Sequence, residues 1–243
     1  MLQDLEQEVN PAEIATRVHE IVRRHVDAGD PYLEAKRSST KEALGWYPRL
    51  QKLVAESADP METAIRLSIA GNIIDFGVAD QIGSLETAIS NALSKPFAID
   101  HCNRLLERLG EVEFVLFLAD NAGETVFDRV LIERIEMPVI YAVKGGPILN
   151  DATLEDAVEA GVDRCATIIE NGSQAPGTIL SRCSEQFRNA FNEAPLIIAK
   201  GQGNYETLSD AGDKVFCLLQ VKCAVIAEDI GAPVGSMIVR QSR

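Results

Sequence analysis

The stretch Val112-Glu-Phe-Val-Leu-Phe-Leu-Ala-Asp120-Asn121-Ala122-Gly123-Glu124 decides the reading of the chain. An apolar run over Val112 to Leu118 has the length and composition of a buried strand, and it stops abruptly in polar residues. From Glu124 to Ile135, the apolar residues Val126, Val130, Leu131 and Ile135 recur at helical spacing, and Val139 to Val143 is the next strand-like run. The order is strand, polar loop, helix, strand. It recurs downstream, where Ala166–Ile169, Leu196–Ala199, Val215–Leu219 and Met237–Val239 alternate with amphipathic segments. Such alternation predicts a mostly parallel sheet covered by helices on both faces, a Rossmann-like α/β fold.

Upstream the pattern is different. Pro11 to Val26 places Ile14, Val18, Ile21, Val22 and Val26 on one helical stripe, with Pro11 near its start. A second helical stretch runs through Tyr32, Lys36, Ala43, Leu44 and Trp46, is expected to break near Pro48, and continues through Leu50, Leu53 and Val54. Pro60 to Ala70 is a third. Strand-type runs are missing from this half. The expectation is a helical N-terminal region over residues 1–98, preceding an α/β domain over 99–243.

The 243 residues carry 37 acidic and 23 basic side chains, a formal net charge of -14. That field repels nucleic acid and anionic membrane, so neither is an expected partner. A phosphorylated ligand would be repelled too, unless the site supplies its own positive charge from a metal, a lysine or helix N-termini. The five cysteines form no Cys-x-x-Cys and read as free thiols in a reducing compartment. Residues 1–8 lack the basic start and apolar run of a signal peptide, and no apolar stretch reaches the roughly 20 residues that span a bilayer. A cytoplasmic protein is expected.

Chemistry collects after the strands. The first ends in Asp120-Asn121-Ala122-Gly123-Glu124, and the second leads into Lys144-Gly145-Gly146-Pro147 and Asn150-Asp151-Ala152. The third ends in Glu170-Asn171-Gly172-Ser173, and the fourth in Lys200-Gly201-Gln202-Gly203-Asn204. Parallel strands bring these loops to one sheet edge. Asp120 and Asp151, one βαβ repeat apart, would repel there unless a cation joined them. With Asn121 beside them the donors are all oxygen, which suits a hard ion such as Mg²⁺ or Mn²⁺. Each residue alone reads more simply as a helix cap; the set favours a metal site. Lys200 and the glycines after it read either as a phosphate grip or as a tight turn with an exposed lysine. In the helical half, Asn72 and Asp75 share a face and either bridge helices or project into the cleft, with even support. Glu124 has a simple reading as a charge in a first helical turn. No Gly-x-Ser-x-Gly elbow occurs and no histidine neighbours a nucleophile, which argues against Ser/His chemistry.

Taken in order, Gly71-Asn-Ile-Ile-Asp75, Asp120-Asn-Ala-Gly-Glu124, Asn150-Asp-Ala152, Asn171-Gly172 and Lys200-Gly-Gln-Gly-Asn-Tyr-Glu206 resemble the damage-control phosphatases, long known only as a domain of unknown function. The resemblance covers about Pro31 to Val234. It implies an α/β/α sandwich with a helical N-terminal region, and phosphatase activity dependent on Mn²⁺, Co²⁺, Ni²⁺ or Mg²⁺. The implied substrates are sugar phosphates and other small phosphorylated metabolites. It also implies metal ligation by Asp120, Asn121 and Asp151, and substrate contact by the Lys200–Asn204 loop with Glu124 nearby. Many prokaryotic-type members begin with a short two-cysteine segment that has no counterpart here, so Met1 reads as an alternative or trimmed start.

The expected mechanism combines these residues. Asp120, Asn121 and Asp151 hold one divalent ion, Lys200 and the N–H groups of Gly201, Gln202, Gly203 and Asn204 neutralise the phosphoryl oxygens, and either an activated water or an Asp carboxylate attacks. Asn72 and Asp75 are further substrate-side candidates. A haloacid-dehalogenase-type phosphatase is disfavoured because Ala122 stands where its second Asp belongs. A methyltransferase is disfavoured because Asp120-Asn121 replaces a glycine-rich turn. A non-catalytic sensor of phosphorylated ligands stays open.

Overall fold

The structure is a computed structural model that describes residues 16–18, 21, 29–73 and 82–243. Thr16–Val18 and Ile21 are helical, but most of the helix expected over Pro11–Val26 lies outside the described residues, as does Asp75. The helices are α1 (Leu33–Ala55), α2 (Pro60–Ala70), α3 (Ile82–Ser94), α4 (Cys102–Leu109), α5 (Thr125–Ile132), α6 (Leu154–Glu159), α7 (Glu185–Glu193), α8 (Gly201–Leu208) and α9 (Ala224–Ile230). The strands are β1 (Ile99–Asp100), β2 (Val115–Leu118), β3 (Val139–Val143), β4 (Thr167–Glu170), β5 (Ile197–Lys200), β6 (Val215–Gln220) and β7 (Met237–Gln241).

The seven strands form one sheet in the order β1-β7-β6-β5-β2-β3-β4. Pairing is parallel from β6 to β4, while β7 runs antiparallel to β6, and β1 runs parallel to β7. The five parallel strands have the doubly wound Rossmann order, in which the direction of winding switches between β2 and β5. Every expected strand is present to within a few residues. The addition is β1, two residues long, too short for a periodic signal.

Alternation along the strands sends side chains to two cores. Val115 and Phe117 join one, with Leu50, Ile65, Leu67, Leu105, Val126 and Val130 from α1, α2, α4 and α5. Leu116 and Leu118 join the other, with Phe187, Tyr205 and Ile226 from α7, α8 and α9. Three layers result, α/β/α, and the upstream helices belong to one of them: α1 and α2 share a core with β2 and β6. Asp59 accepts the Glu62 N–H at 2.9 Å and Pro60 occupies the first turn, which starts α2 where the sequence places it.

One expectation fails here. The helix does not break at Pro48; α1 is continuous from Leu33 to Ala55 with Pro48 inside it. A proline removes one intrahelical hydrogen bond and crowds the preceding turn, but Ala43, Leu50 and Val54 on either side are wholly buried. Tertiary packing holds the axis where local propensity would end it.

Candidate active site

β2 and β5, the two strands at the switch point, end side by side. Past β2 the backbone is joined to the loop after β3: the Ala152 N–H donates to the Asp120 carbonyl at 2.8 Å, and the Ala122 N–H to the Asn150 carbonyl at 2.9 Å. Asn121 and Asp151 form an isolated antiparallel bridge. Asp120, Asn121 and Asp151, drawn from two loops distant in sequence, are thus locked together by main-chain bonds. Beyond β5, Gly201 has φ +80, and a Cβ there would overlap the Asp120 carboxylate. Only glycine allows this close approach without strain.

Asn72, just past the end of α2, donates its Nδ2 to Asp120 Oδ2 at 2.8 Å and to Glu124 Oε2 at 2.7 Å. Asn121 Nδ2 donates to the same Asp120 oxygen at 2.9 Å. Both amides turn their nitrogens to carboxylate oxygens, leaving each amide oxygen for another donor or a cation. Asn72 Oδ1 is buried with no partner among the described residues. Of the two readings of Asn72, its contacts follow the second: from the end of α2 it reaches the Asp120 and Glu124 carboxylates of the candidate site.

Burial, with Glu124 and Asp151 close by, pushes the Asp120 carboxyl up to about 8, against the weaker opposing pull of Lys222 and the Asn72 hydrogen bond. Glu124 and Asp151 each pair with a lysine, whereas Asp120 makes no ion pair among the described residues, the deficit that a cation corrects. Among the described residues no three His, Cys, Asp or Glu side chains gather into a metal site by themselves. A metal here would rest on the two aspartates completed by the Asn121 amide oxygen. That all-oxygen set fits a hard divalent ion.

The structure corrects the role expected of Lys200. It is wholly buried, and its ammonium donates to the Ser68 carbonyl at 3.0 Å, Glu124 at 2.5 Å and Asp128 at 2.6 Å, using all three donors. Asp128 also accepts from Ser68 Oγ and from the Tyr141 hydroxyl, both at 2.8 Å. Burial pushes Asp128 up to about 6, while the carboxylates beside Lys200 keep it protonated. Lys200 is therefore a structural cation under the site rather than a phosphate grip. Glu124 is its counter-ion and, through Asn72 and Asn121, the brace of Asp120.

Two other side chains of that loop are committed elsewhere. Asn204 donates to the carbonyls of Ala119 and Lys200 and accepts from Thr178 Oγ1. Gln202 bonds Glu206 and the Lys222 N–H. What remains for an anion is main chain: the first-turn N–H groups of α8, at Gln202 and Gly203, which lack intrahelical carbonyls, and the N–H groups of Gly123 and Glu124 just before α5. Asn171 accepts from the Ser173 and Gly145 N–H groups and shapes its own loop. Lys144 pairs with Asp151 at 3.2 Å and donates to the carbonyls of Ala175 and Gly177.

The sequence reading passed over Asp128, Ser68, Tyr141 and Lys222. Asp128 had a signal: it stands four residues after Glu124 on one helix, a like-charge pair that needs a cation between its members. Lys222, exposed just after β6, belongs to a fifth strand-end loop that carries no glycine-and-amide signature to mark it.

Oxygen donors at the switch point of a doubly wound sheet, with two helix N-termini beside them, are where such a fold binds a phosphoryl-bearing ligand. The damage-control phosphatase ARMT1-like domain model matches residues 1–238. The chain is 36% identical over 219 residues to damage-control phosphatase PH1575 of Pyrococcus horikoshii, covering 88% of this chain and 75% of that protein. It is 37% identical over 236 residues to a damage-control phosphatase of Archaeoglobus fulgidus, covering 94% and 82%. The crystal structure of the Pyrococcus horikoshii DUF89 family protein superposes with a TM-score of 0.90 at 33% identity, covering 98% of this chain and 84% of that one. The chain belongs to the damage-control phosphatase ARMT1-like family, and it is a phosphatase with the divalent-metal dependence of that family.

Proposed function

We propose that this phosphatase hydrolyses small phosphorylated metabolites such as sugar phosphates, with Asp120, Asn121 and Asp151 holding one divalent ion, Mn²⁺, Co²⁺, Ni²⁺ or Mg²⁺. The observation that carries the reading is the main-chain splice of the Asp120 and Asp151 loops against the bare α-carbon of Gly201. A divalent ion held there would supply Lewis-acid stabilisation of the charge on the phosphoryl group. The chain's own contribution is positioning. N–H groups at the starts of α8 and α5 receive phosphoryl oxygens, and their helix dipoles favour the negative charge that the overall charge of -14 opposes. Glu124, fixed by Lys200, holds Asn72 and Asn121, and these hold the Asp120 carboxylate in one orientation. Such preorganised dipoles supply most of the rate in phosphoryl transfer. A cytosolic location is part of the proposal, supported by five free cysteines.

The test is phosphate release from p-nitrophenyl phosphate and a panel of sugar phosphates, with Mn²⁺, Co²⁺ or EDTA. EDTA abolishes turnover, and Asp120→Asn lowers it about 1,000-fold or more with the fold intact. Turnover that survives both treatments defeats the proposal. Binding without release identifies a sensor instead.

A further inference from the structure

The antiparallel β7 returns the chain to the sheet edge opposite the candidate active site: Gln241 pairs with Phe216 at the start of β6, whereas Lys222 lies beyond its other end. At that far edge lies a cavity of about 370 Å³ lined by Ile99, His101, Arg104, Ile230, Arg240 and Arg243, together with Gln241 and Ser242. We propose that it is a second binding site, for a phosphoryl-bearing small anion, distinct from the catalytic one.

Charge is the first reason. The chain has fourteen more carboxylates than cations, yet three arginines and a histidine line this cavity and no Asp or Glu does. Nearby acids are turned to other tasks. Asp100 Oδ1 accepts the Cys102 N–H at 3.0 Å, and Asp229 accepts the Tyr205 hydroxyl at 2.6 Å. Among the described residues Arg104, Arg240 and Arg243 make no ion pair with an acidic side chain, unlike Arg49, Arg66 and Arg129. Like charges gathered without a counter-ion repel, and an anion is what relieves them.

Hydrogen-bond direction is the second. His101 Nδ1 accepts the Gln241 N–H at 3.0 Å, so a neutral imidazole carries its proton on Nε2, a donor available to a ligand. Burial, then Arg104 and Arg240, hold the imidazole below its ordinary pKa, in keeping with that neutral form. Arg240 is braced by one N–H to the Tyr205 hydroxyl at 2.9 Å and lies over that ring. Donor-bearing residues drawn from separate elements suit a tetrahedral dianion better than a planar carboxylate, whose two oxygens one arginine fork already satisfies. The volume admits a sugar-phosphate-sized molecule. Its inorganic or esterified origin is for the test to distinguish.

The experiment uses the full chain with EDTA present, so that binding is read without the metal site and independently of any activity. Inorganic phosphate and glucose 6-phosphate are titrated in turn, following the His101 imidazole resonances by NMR. Saturable shifts are expected, weakened roughly tenfold or more in Arg104→Gln, which loses charge-assisted hydrogen bonds; turnover with metal stays unchanged in that variant. Equal binding of both probes supports a site for the phosphoryl group itself, and tighter binding of glucose 6-phosphate supports an esterified ligand. The inference is overturned if neither probe moves the His101 signals, or if Arg104→Gln and Arg243→Gln both bind like the unaltered protein.

Discussion

At Gly201, φ +80 and a bare α-carbon against Asp120 combine two demands that no other residue meets. Gly201→Ala should strain the backbone by about 1–2 kcal/mol and displace the carboxylate. A displacement of about 1 Å costs about 100-fold in turnover. Urea unfolding and kcat measured on one preparation check both, and a variant with normal kcat would show that Asp120 need not sit against α8. Lys200 carries a different load. Lys200→Met leaves Glu124 and Asp128 buried without their cation, an expected loss of about 3–5 kcal/mol in unfolding free energy. A loss under about 1 kcal/mol, in equilibrium urea titration, would mean that the pair protonates at little cost. The residue types at these positions were legible from the sequence; their directions were not. Position after a strand says that a lysine reaches the sheet edge, but whether it faces the cleft or the floor depends on what packs above it. Here that is Ser68 of α2, 132 positions away.

Helices and strands were the most readable level, because apolar spacing is a direct record of which faces are buried. β3 matches its expected bounds, and α2 runs from Pro60 to Ala70 as its cap and first-turn proline indicate. α1 is the exception, and it makes a prediction. If packing alone carries the helix across Pro48, Pro48→Ala restores a backbone donor and relieves the crowded turn, raising stability by about 1–3 kcal/mol. Thermal and urea unfolding measure this, and a destabilised variant would show that the proline ring itself is a packing element. The Asn171 and Lys144 loops were correctly placed at the sheet edge. Their bracing of one another is not legible in the sequence, because such bonds join loops that only the sheet brings together.

For the molecule as a whole, charge is distributed unevenly, and pH exposes this. His101 is held below its ordinary pKa by burial first, then by Arg104 and Arg240, with Asp100 opposing. As pH falls the unfolded chain therefore binds the proton before the folded one. The contribution of His101 to stability is intact above the unfolded value, about 6.5, and is lost as pH falls toward the lower folded value. Urea midpoints between about pH 7.5 and 5.5, a window spanning that value, should drop more for the unaltered protein than for His101→Gln. Parallel slopes would remove His101 from the account.

By itself the sequence determined the layered α/β plan and the order of the chemistry-bearing loops, because both are written in local apolar periodicity and in the polar residues that close each strand. Only the tertiary structure decided what those residues touch. Burial turned Lys200 and Asn204 from grips into scaffolding, and helix α2 brought Asn72 to Asp120. The return of β7 gathered three arginines at an edge that no motif marks. Local pattern records solvent exposure along one element, whereas the surroundings of a buried charge are set by partners from elements far apart in the chain.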